Sequence, residues 1–125
     1  MIKKYFKKIE KFLERFTHII EDYIIHKEIL SDNKGIIDGE VFFNNESRLD
    51  FMEAVDMNKN EKNKYSYHYM NNNNEMVFRY DNAKHHRELS TFPHHKHTKN
   101  GIISSNEAKL DEVLSEIEKE VLKKK

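Results

Sequence analysis

The chain has 125 residues, a formal net charge of zero and no cysteine. The missing cysteine excludes disulfide scaffolds, thiolate zinc sites and cysteine nucleophiles. No apolar run approaches the ~18–20 residues of a membrane-spanning helix, and the basic N-terminus lacks the continuous hydrophobic region of a secretory signal. The sequence thus predicts a cytoplasmic protein without a membrane partner, with residues 1–125 forming a single domain around one modest core.

The first predicted element is an amphipathic helix over residues 2–16. Its apolar residues recur at steps of three and four, and lysines occupy another face. We interpret it as a helix that packs on the core with a solvated basic face, in preference to a basic face that contacts RNA or an acidic partner. The apolar stripe consists of Ile2, Phe6, Ile9, Leu13 and Phe16.

Five strands with short connections are predicted next. Residues 32–35 (Asp-Asn-Lys-Gly) and the four asparagines at 71–74 are typical turn sequences. Consecutive strands with short links form an antiparallel meander, because parallel strands need long crossover connections. The predicted strands span residues 19–30, 36–43, 48–57, 64–70 and 75–81.

A long loop and a second helix complete the chain. Residues 82–103 lack clear periodicity, and a loop of roughly 20 residues inside a compact domain is usually functional. Ser104 and Glu107 then match a capping box, as the N-cap and N3 residues of the closing helix. The lysines at 123–125 suit the negative end of its dipole. Its apolar stripe consists of Leu110, Val113, Leu114, Ile117 and Val121.

These elements predict an α+β fold: an N-terminal helix, a five-stranded curved antiparallel sheet, a histidine-rich loop and a C-terminal helix. Each helix has a single apolar stripe, so we expect both helices to cover one face of the sheet. The other face is then left to the histidine-rich loop.

Histidine is concentrated near the end of the sheet. Six of the eight histidines fall between His68 and His97, and five of these lie in the predicted loop. An imidazole exchanges a proton near neutral pH, because its ordinary pKa is about 6.5. Such polar rings are costly to bury unpaired, so a packed core does not explain the cluster. The segment is therefore interpreted as a site for anions, for metal or for acid–base chemistry.

Alternation in the last two predicted strands decides which side chains share a face. Tyrosines at 65, 67 and 69 share one face of the fourth strand, and His68 lies on the other. If the tyrosine face is buried against the aromatic residues of the fifth strand, then Arg79 and Asp81 line the opposite face together with His68. Same-face neighbours on paired strands lie about 4.5–5.5 Å apart, close enough to interact.

Glu53 falls among the apolar positions of the third predicted strand. A carboxylate among apolar neighbours is either paired or has a perturbed pKa. We expect its partner to be a histidine or Arg79.

Three chemistries are compatible with the cluster. Metal-free RNA cleavage needs a base, an acid and a cation, which histidines supply together with Arg79 or Lys96. Metal binding is the second: His95 and His97 point the same way in an extended stretch, and Asp81 or His85 completes a ligand set. In the third, structural interpretation, loop histidines such as His85, His86 and His94 are solvated or hold the loop to the sheet.

The His-His-Lys-His run at 94–97 is the most specific part of the loop. Pro93 fixes the backbone dihedral before it, so the run begins in a defined, extended direction. Alternation puts His95 and His97 on one side and His94 on the other. We also expect Lys96 to disfavour the charged forms of the imidazoles, which keeps a neutral base available near pH 7.

A dense series of residue types runs from the fourth predicted strand into the loop. It consists of Tyr65-Ser66-Tyr67-His68-Tyr69, Phe78-Arg79-Tyr80-Asp81-Asn82-Ala83, His85-His86, Glu88-Leu89, Thr91-Phe92-Pro93-His94-His95 and His97. This series resembles the signature of the TumE family of bacterial and archaeal toxins, over about residues 48–122. The chain departs from the family at Lys84, where we expect proline; the change frees a backbone dihedral and adds a charge.

The resemblance implies the toxin of a type II toxin–antitoxin pair, neutralised by a cognate DNA-binding antitoxin and acting on RNA. Our leading hypothesis is a metal-independent endoribonuclease without a cofactor. One alternative is a non-catalytic RNA- or protein-binding inhibitor of translation, with the tyrosines at 65, 67 and 69 as stacking surfaces. The other is a His-ligated metalloenzyme. A homodimer is left open.

Within the leading hypothesis, two of the histidines serve as base and acid, and Asp81 or Glu53 orients one of them. The candidate catalytic residues are His68, Arg79, Asp81, His86, His94, His95 and His97. The candidate RNA-binding residues are Arg79, Lys84, Arg87 and Lys96.

Overall fold

The computed structural model describes residues 1–59 and 62–123, and in them two helices flank a run of strands. The helices are α1 (Ile2–Arg15) and α2 (Leu110–Val121). The strands are β1 (Ile20–Ile29), β2 (Lys34–Phe43), β3 (Arg48–Asp56), β4 (Lys64–Met70), β5 (Met76–Asp81), β6 (His95–Thr98) and β7 (Gly101–Ser104). Each strand pairs antiparallel with the next, so the order of strands in the sheet is their order in the chain. The predicted α+β architecture is confirmed.

The predicted number of strands is wrong, because the sheet has seven strands and not five. Part of the predicted loop forms the hairpin β6–β7, in which Thr98 pairs with Gly101 across a two-residue turn. Gly101 has a φ of +123°, a conformation that favours glycine. The Asn100-Gly101 pair is a known hairpin signal. The strands themselves are four residues long and β6 is polar on both faces, so they lack the apolar alternation that reveals a strand.

The start of the second helix is also corrected. Ser104 pairs with His95 as the end of β7, and the helix begins at Leu110 after Lys109, which makes no side-chain cap. Glu107 accepts a hydrogen bond from the backbone N–H of Lys62 at 3.0 Å instead of capping. Pairing within the sheet therefore overrides the local capping signal. Two of the three terminal lysines, residues 124–125, lie outside the described residues.

The hydrophobic core lies between the helices and one face of the sheet. Leu13 of α1 and Leu114 of α2 are fully buried in the same cluster as Val41 and Leu49 of the sheet. Fully burying such a side chain stabilises the fold by about 1.5–3 kcal/mol. The expectation that both helices cover one face is confirmed. Among the described residues, neither helix is long and apolar enough to cross a bilayer.

The opposite face of the sheet is called the open face here, because the residues there alternate with the buried set and no described helix covers them. On β4 the buried tyrosines at 65, 67 and 69 alternate with partly exposed Ser66 and His68. On β5, Arg79 stands opposite His68. The open face thus carries the polar side chains of the last strands, as the alternation predicts.

Candidate active site

A cluster of polar side chains lies on the open face where β5 pairs with β6. Arg79 stands opposite His97 in this pairing, and Asp81 stands opposite His95. The rings of His95 and His97 have centroids 4.9 Å apart. The register of the hairpin β6–β7 therefore brings two histidines, an arginine and a carboxylate together.

Asp81 is the centre of this cluster, and 7% of its side chain is exposed. Its Oδ1 lies 2.8 Å from His95 Nε2 and accepts the backbone N–H of Ala83 at 3.1 Å. Its Oδ2 accepts from Arg79 Nε at 3.0 Å and lies 3.3 Å from His97 Nε2. The carboxylate is therefore fixed from several directions.

His95 is held between two oxygen acceptors and is 1% exposed. Its Nδ1 lies 2.9 Å from the carbonyl oxygen of Pro93, and its Nε2 lies 2.8 Å from Asp81. The ring of His95 is therefore fixed at both ends.

His97 has a different environment from its neighbour. Arg79 Nη2 lies 3.2 Å from its Nε2 and Asp81 Oδ2 lies 3.3 Å from the same nitrogen, so the ring stands between a cation and a carboxylate. Burial, then the charge of Arg79, lowers the pKa of His97, and Asp81 only partly opposes this. With 19% of its side chain exposed, His97 is a neutral base that solvent can reach.

His86 reaches the cluster from the loop between β5 and β6. Its ring centroid lies 5.4 Å from that of His95 and 6.3 Å from that of His97. Its φ is +55°, a left-handed conformation that costs about 1–2 kcal/mol outside glycine. A carboxylate oxygen of Glu88 lies 3.4 Å from its Nδ1. The strained backbone thus directs a 34% exposed imidazole towards His97.

Two polar side chains anchor the ends of this loop, and no pattern in the sequence predicts that role for them. The buried Asn82 accepts the backbone N–H of Tyr65 at 3.0 Å and donates to a carbonyl of the β3–β4 connection at 3.2 Å. Thr91 donates to the carbonyl of His94 at 2.8 Å and accepts from the N–H of Ser105 at 2.9 Å. These bonds hold the path of the loop, which sets the position of His86.

His68 lies on the same face, one strand further from His97, with Arg79 between them. Burial first, and then Arg79, lowers its pKa. His68 is thus a second neutral imidazole beside the guanidinium.

Two candidates lie on the other face of the sheet. Lys96 Nζ lies 2.8 Å from the carboxylate of Glu116 in α2, so it does not stand beside the imidazoles of His95 and His97 as expected. His94 Nδ1 lies 2.8 Å from the hydroxyl of Tyr65, and their rings stack with centroids 5.7 Å apart. The predicted separation of His94 from the pair is confirmed, and the same alternation moves Lys96 with it.

The remaining candidates lie on the surface of the loop. Lys84 and His85 are exposed, and the guanidinium of Arg87 lies 5.2 Å from the ring centroid of Phe92. The backbone N–H of His85 donates to the carbonyl of Ala83 at 2.7 Å, so Lys84 is the central residue of a tight turn. Its φ is not positive, which is the geometry that proline also adopts.

Glu53 lies on the helix side of the sheet and is 0% exposed. The hydroxyls of Tyr5 and Tyr67 both donate to its carboxylate, and Lys62 Nζ lies 3.6 Å away. The expected histidine or Arg79 partner is therefore wrong, because Arg79 lies on the open face with the clustered histidines and His94 contacts Tyr65 instead. Its actual partners come from α1, from β4 and from the β3–β4 connection.

The open-face cluster brings together an imidazole with a lowered pKa, a second imidazole and an exposed cation. The fold and site are those of a small α+β protein with a histidine-rich candidate site. The family model described as Toxin TumE matches residues 9–123. The chain therefore belongs to the TumE toxin family, which supports a toxin role. No curated protein and no solved structure matches the chain.

Proposed function

We propose that this toxin inhibits growth by cleaving cellular RNA as a metal-independent endoribonuclease. The observation that carries the proposal is the lowered pKa of His97 together with its access to solvent. Burial and the charge of Arg79 favour the neutral form of this imidazole, and 19% of its side chain is exposed. A base of this kind beside a phosphate-binding cation matches the needs of an attack by the RNA 2′-hydroxyl.

In the proposed reaction, His97 takes the proton of the 2′-hydroxyl, and the 2′-oxygen attacks the adjacent phosphorus. The bond from phosphorus to the 5′-oxygen breaks, and His86 donates a proton to that leaving oxygen. The products are a 2′,3′-cyclic phosphate and a 5′-hydroxyl, so atoms and charge balance. Positioned acid–base groups typically contribute ~10²–10⁴-fold each to the rate.

Arg79 serves as the cation for the charge on phosphorus. Its side chain is 40% exposed, so its Nη2 can turn from His97 to a phosphoryl oxygen. This movement frees the lone pair of His97 when substrate arrives. The planar guanidinium suits phosphate oxygens, and it already fills the place between Asp81 and His97.

Asp81 and His95 act as positioning residues in this scheme. They are nearly buried, so RNA does not reach them directly, and they hold Arg79 and the hairpin in place. Lys84 and Arg87, exposed on the loop, provide sequence-independent contacts to the RNA backbone.

The non-catalytic alternative loses its stacking surfaces. The tyrosines at 65, 67 and 69 are all buried beneath the helices, so they do not offer faces to RNA bases.

We also propose, from the family resemblance, that a DNA-binding antitoxin neutralises this protein. Co-expression with the product of a neighbouring reading frame, followed by co-purification, tests that partner.

The test of the activity is incubation of the purified protein with total RNA in EDTA, with end-group analysis of the products. We expect cleavage in EDTA that leaves 5′-hydroxyl and 2′,3′-cyclic phosphate ends. Absence of cleavage in every buffer would contradict the proposal and favour a binding inhibitor. Cleavage that appears only after a metal is added would identify a metalloenzyme instead.

A further inference from the structure

Three side chains of the open-face cluster also have the composition of a metal site. We propose that Asp81, His95 and His97 bind a divalent transition-metal ion of the Zn²⁺ class, that the ion displaces Arg79, and that it switches the toxin off. One ligand atom from each of the three residues lies within 4.8 Å of the others. Around a tetrahedral Zn²⁺, with bonds of about 2.0–2.2 Å, ligand atoms lie roughly 3.4 Å apart, so small side-chain rotations close the set.

The ligands are already oriented by a second set of contacts. A metal-binding histidine almost always donates its other ring N–H to a carboxylate or a carbonyl, and His95 Nδ1 lies 2.9 Å from the carbonyl oxygen of Pro93. Asp81 is fixed by the N–H of Ala83. Because His95 and Asp81 are nearly buried and held, little ordering is needed when an ion binds.

The donor set selects the class of ion. Two imidazoles and one carboxylate suit Zn²⁺, Co²⁺ or Ni²⁺, whereas Mg²⁺ and Ca²⁺ prefer oxygen ligands throughout. A water molecule would complete a tetrahedral set in the fourth position.

Arg79 competes directly for this position. It donates to Asp81 Oδ2 at 3.0 Å and to His97 Nε2 at 3.2 Å, so its guanidinium is hydrogen-bonded to two of the three proposed ligand residues at once. A metal ion must displace it, and the exposed guanidinium has solvent to move into. Removing Arg79 therefore removes both a competitor and a repelling positive charge. We therefore expect Arg79 to lower the affinity of the site for the metal ion.

The inhibitory consequence rests on the proposed function. An ion bound to Nε2 of His97 takes the lone pair that the reaction needs, and it displaces the cation that binds phosphate. RNA cleavage in EDTA then stops when Zn²⁺ is added.

The first experiment measures binding alone, by calorimetry with Zn²⁺ and by visible absorption with Co²⁺, on the whole chain. We expect one ion per chain and no comparable heat with Mg²⁺. Arg79→Met should raise the affinity by about tenfold or more, a gain that misfolding does not produce. His97→Ala should lower it by at least as much, and His94→Ala, from the same histidine run but the other face, should leave it unchanged. Equal affinity in the wild type, Arg79→Met and His97→Ala would overturn the site.

The second experiment adds Zn²⁺ to the RNA cleavage assay. Inhibition that EDTA reverses supports the switch, and stimulation by Zn²⁺ would overturn it. If no buffer gives cleavage, the proposed function fails while the binding result still decides the metal site. The two proposals therefore fail separately.

Discussion

Glu53 and Asp81 occupy opposite faces of the same sheet, and each is the centre of a polar cluster. Glu53 is fully buried beneath the helices, and its partners are the hydroxyls of Tyr5 and Tyr67 with the ammonium of Lys62. Asp81 lies on the open face and is also nearly buried, but two of its partners, Arg79 and His97, reach solvent. Both carboxylates are nearly buried, so the two clusters differ mainly in the side chains that surround the carboxylate.

The tyrosine partners of Glu53 keep their protons at neutral pH. Burial first, and then the Glu53 carboxylate, raises the pKa of both Tyr5 and Tyr67 well above the ordinary value of 10.0. Burial lowers the pKa of Lys62, and the charge of Glu53 only partly opposes this. Lys62 donates to the hydroxyl of Tyr67 and to the carbonyl of Ala108, both at 2.6 Å. This cluster therefore binds α1, the sheet and the segment before α2 together.

The partners of Asp81 include groups that exchange protons near neutral pH and a cation that can turn outward. Under the proposed function, the carboxylate that fixes such groups on an uncovered face serves the reaction, whereas the one surrounded by hydroxyls serves the fold. Substitutions can separate these two roles.

The largest expected effect is that of Glu53→Ala on stability. Removing one partner of a buried ion pair leaves Lys62 uncompensated, which typically costs about 3–5 kcal/mol. Denaturant unfolding should show this loss, and toxicity should disappear along with the fold. Asp81→Asn is the matched substitution on the open face, where we expect lost cleavage with a smaller loss of stability. Equal stability losses in both variants would contradict the assignment.

Arg79→Ala should lower the rate of RNA cleavage by about 10²–10³-fold, the usual effect of removing one donor that stabilises developing charge. The melting temperature should change little, because the side chain is partly exposed. Arg48→Ala is the control, since Arg48 bonds Asp50 on the same face, with Nε 2.7 Å from Oδ1, in the same two-residue spacing. If both variants lose the same activity, the role of Arg79 is only that of a surface ion pair.

The pH dependence of cleavage should reflect the lowered pKa of His97. The base acts only when neutral, so the rate should fall as the pH drops below a midpoint that lies under the ordinary value of about 6.5. Four charged or titratable groups face the ring: Arg79 and Asp81 from β5, His95 from β6 and His86 from the loop. Arg79→Gln removes a cation that lowers this pKa, so the acidic limb should move to higher pH. A limb that stays in place would exclude His97 as the titrating base.

The smallest expected effect is that of Lys84→Pro. Proline placed where its backbone angles already fit stabilises a protein by about 0.4–1 kcal/mol, mainly by restricting the unfolded chain. Lys84 is the centre of a tight turn with a φ that is not positive. We expect a slightly higher melting temperature and a small loss of RNA binding, because one contact to the RNA backbone is removed. Unchanged RNA binding would show that Lys84 does not contact the RNA.

Much of the fold could be predicted from the sequence because β3 to β5 alternate cleanly. Apolar and polar residues alternate along these strands, and this alternation alone places His68, Arg79 and Asp81 on one face. No tertiary contact is needed for that prediction. The hairpin β6–β7 was missed because its strands are only four residues long and β6 is polar on both faces. The turn at Asn100 was the remaining signal in the sequence.

The details of the site depend on contacts between distant segments. The left-handed backbone of His86 is set by the path of the loop, and no local pattern predicts that an imidazole will turn over His97. Tyr5 reaches Glu53 across 48 positions of the chain. In contrast, the alternation that separates His94 from His97 also places Lys96 on the face of His94. The expectation that Lys96 stands beside the imidazoles of the cluster was therefore avoidable.

The most direct test of the account compares His97→Ala with His94→Ala. Both residues belong to one histidine run, but they lie on opposite faces of the sheet. We would measure RNA cleavage in EDTA at a temperature where both variants are folded, together with growth arrest on induction. We expect His97→Ala to lower the rate of RNA cleavage by ~10²–10⁴-fold and to abolish growth arrest. His94→Ala should retain both the cleavage rate and the growth arrest. Full activity in His97→Ala, or an equal loss in the two variants, would contradict it.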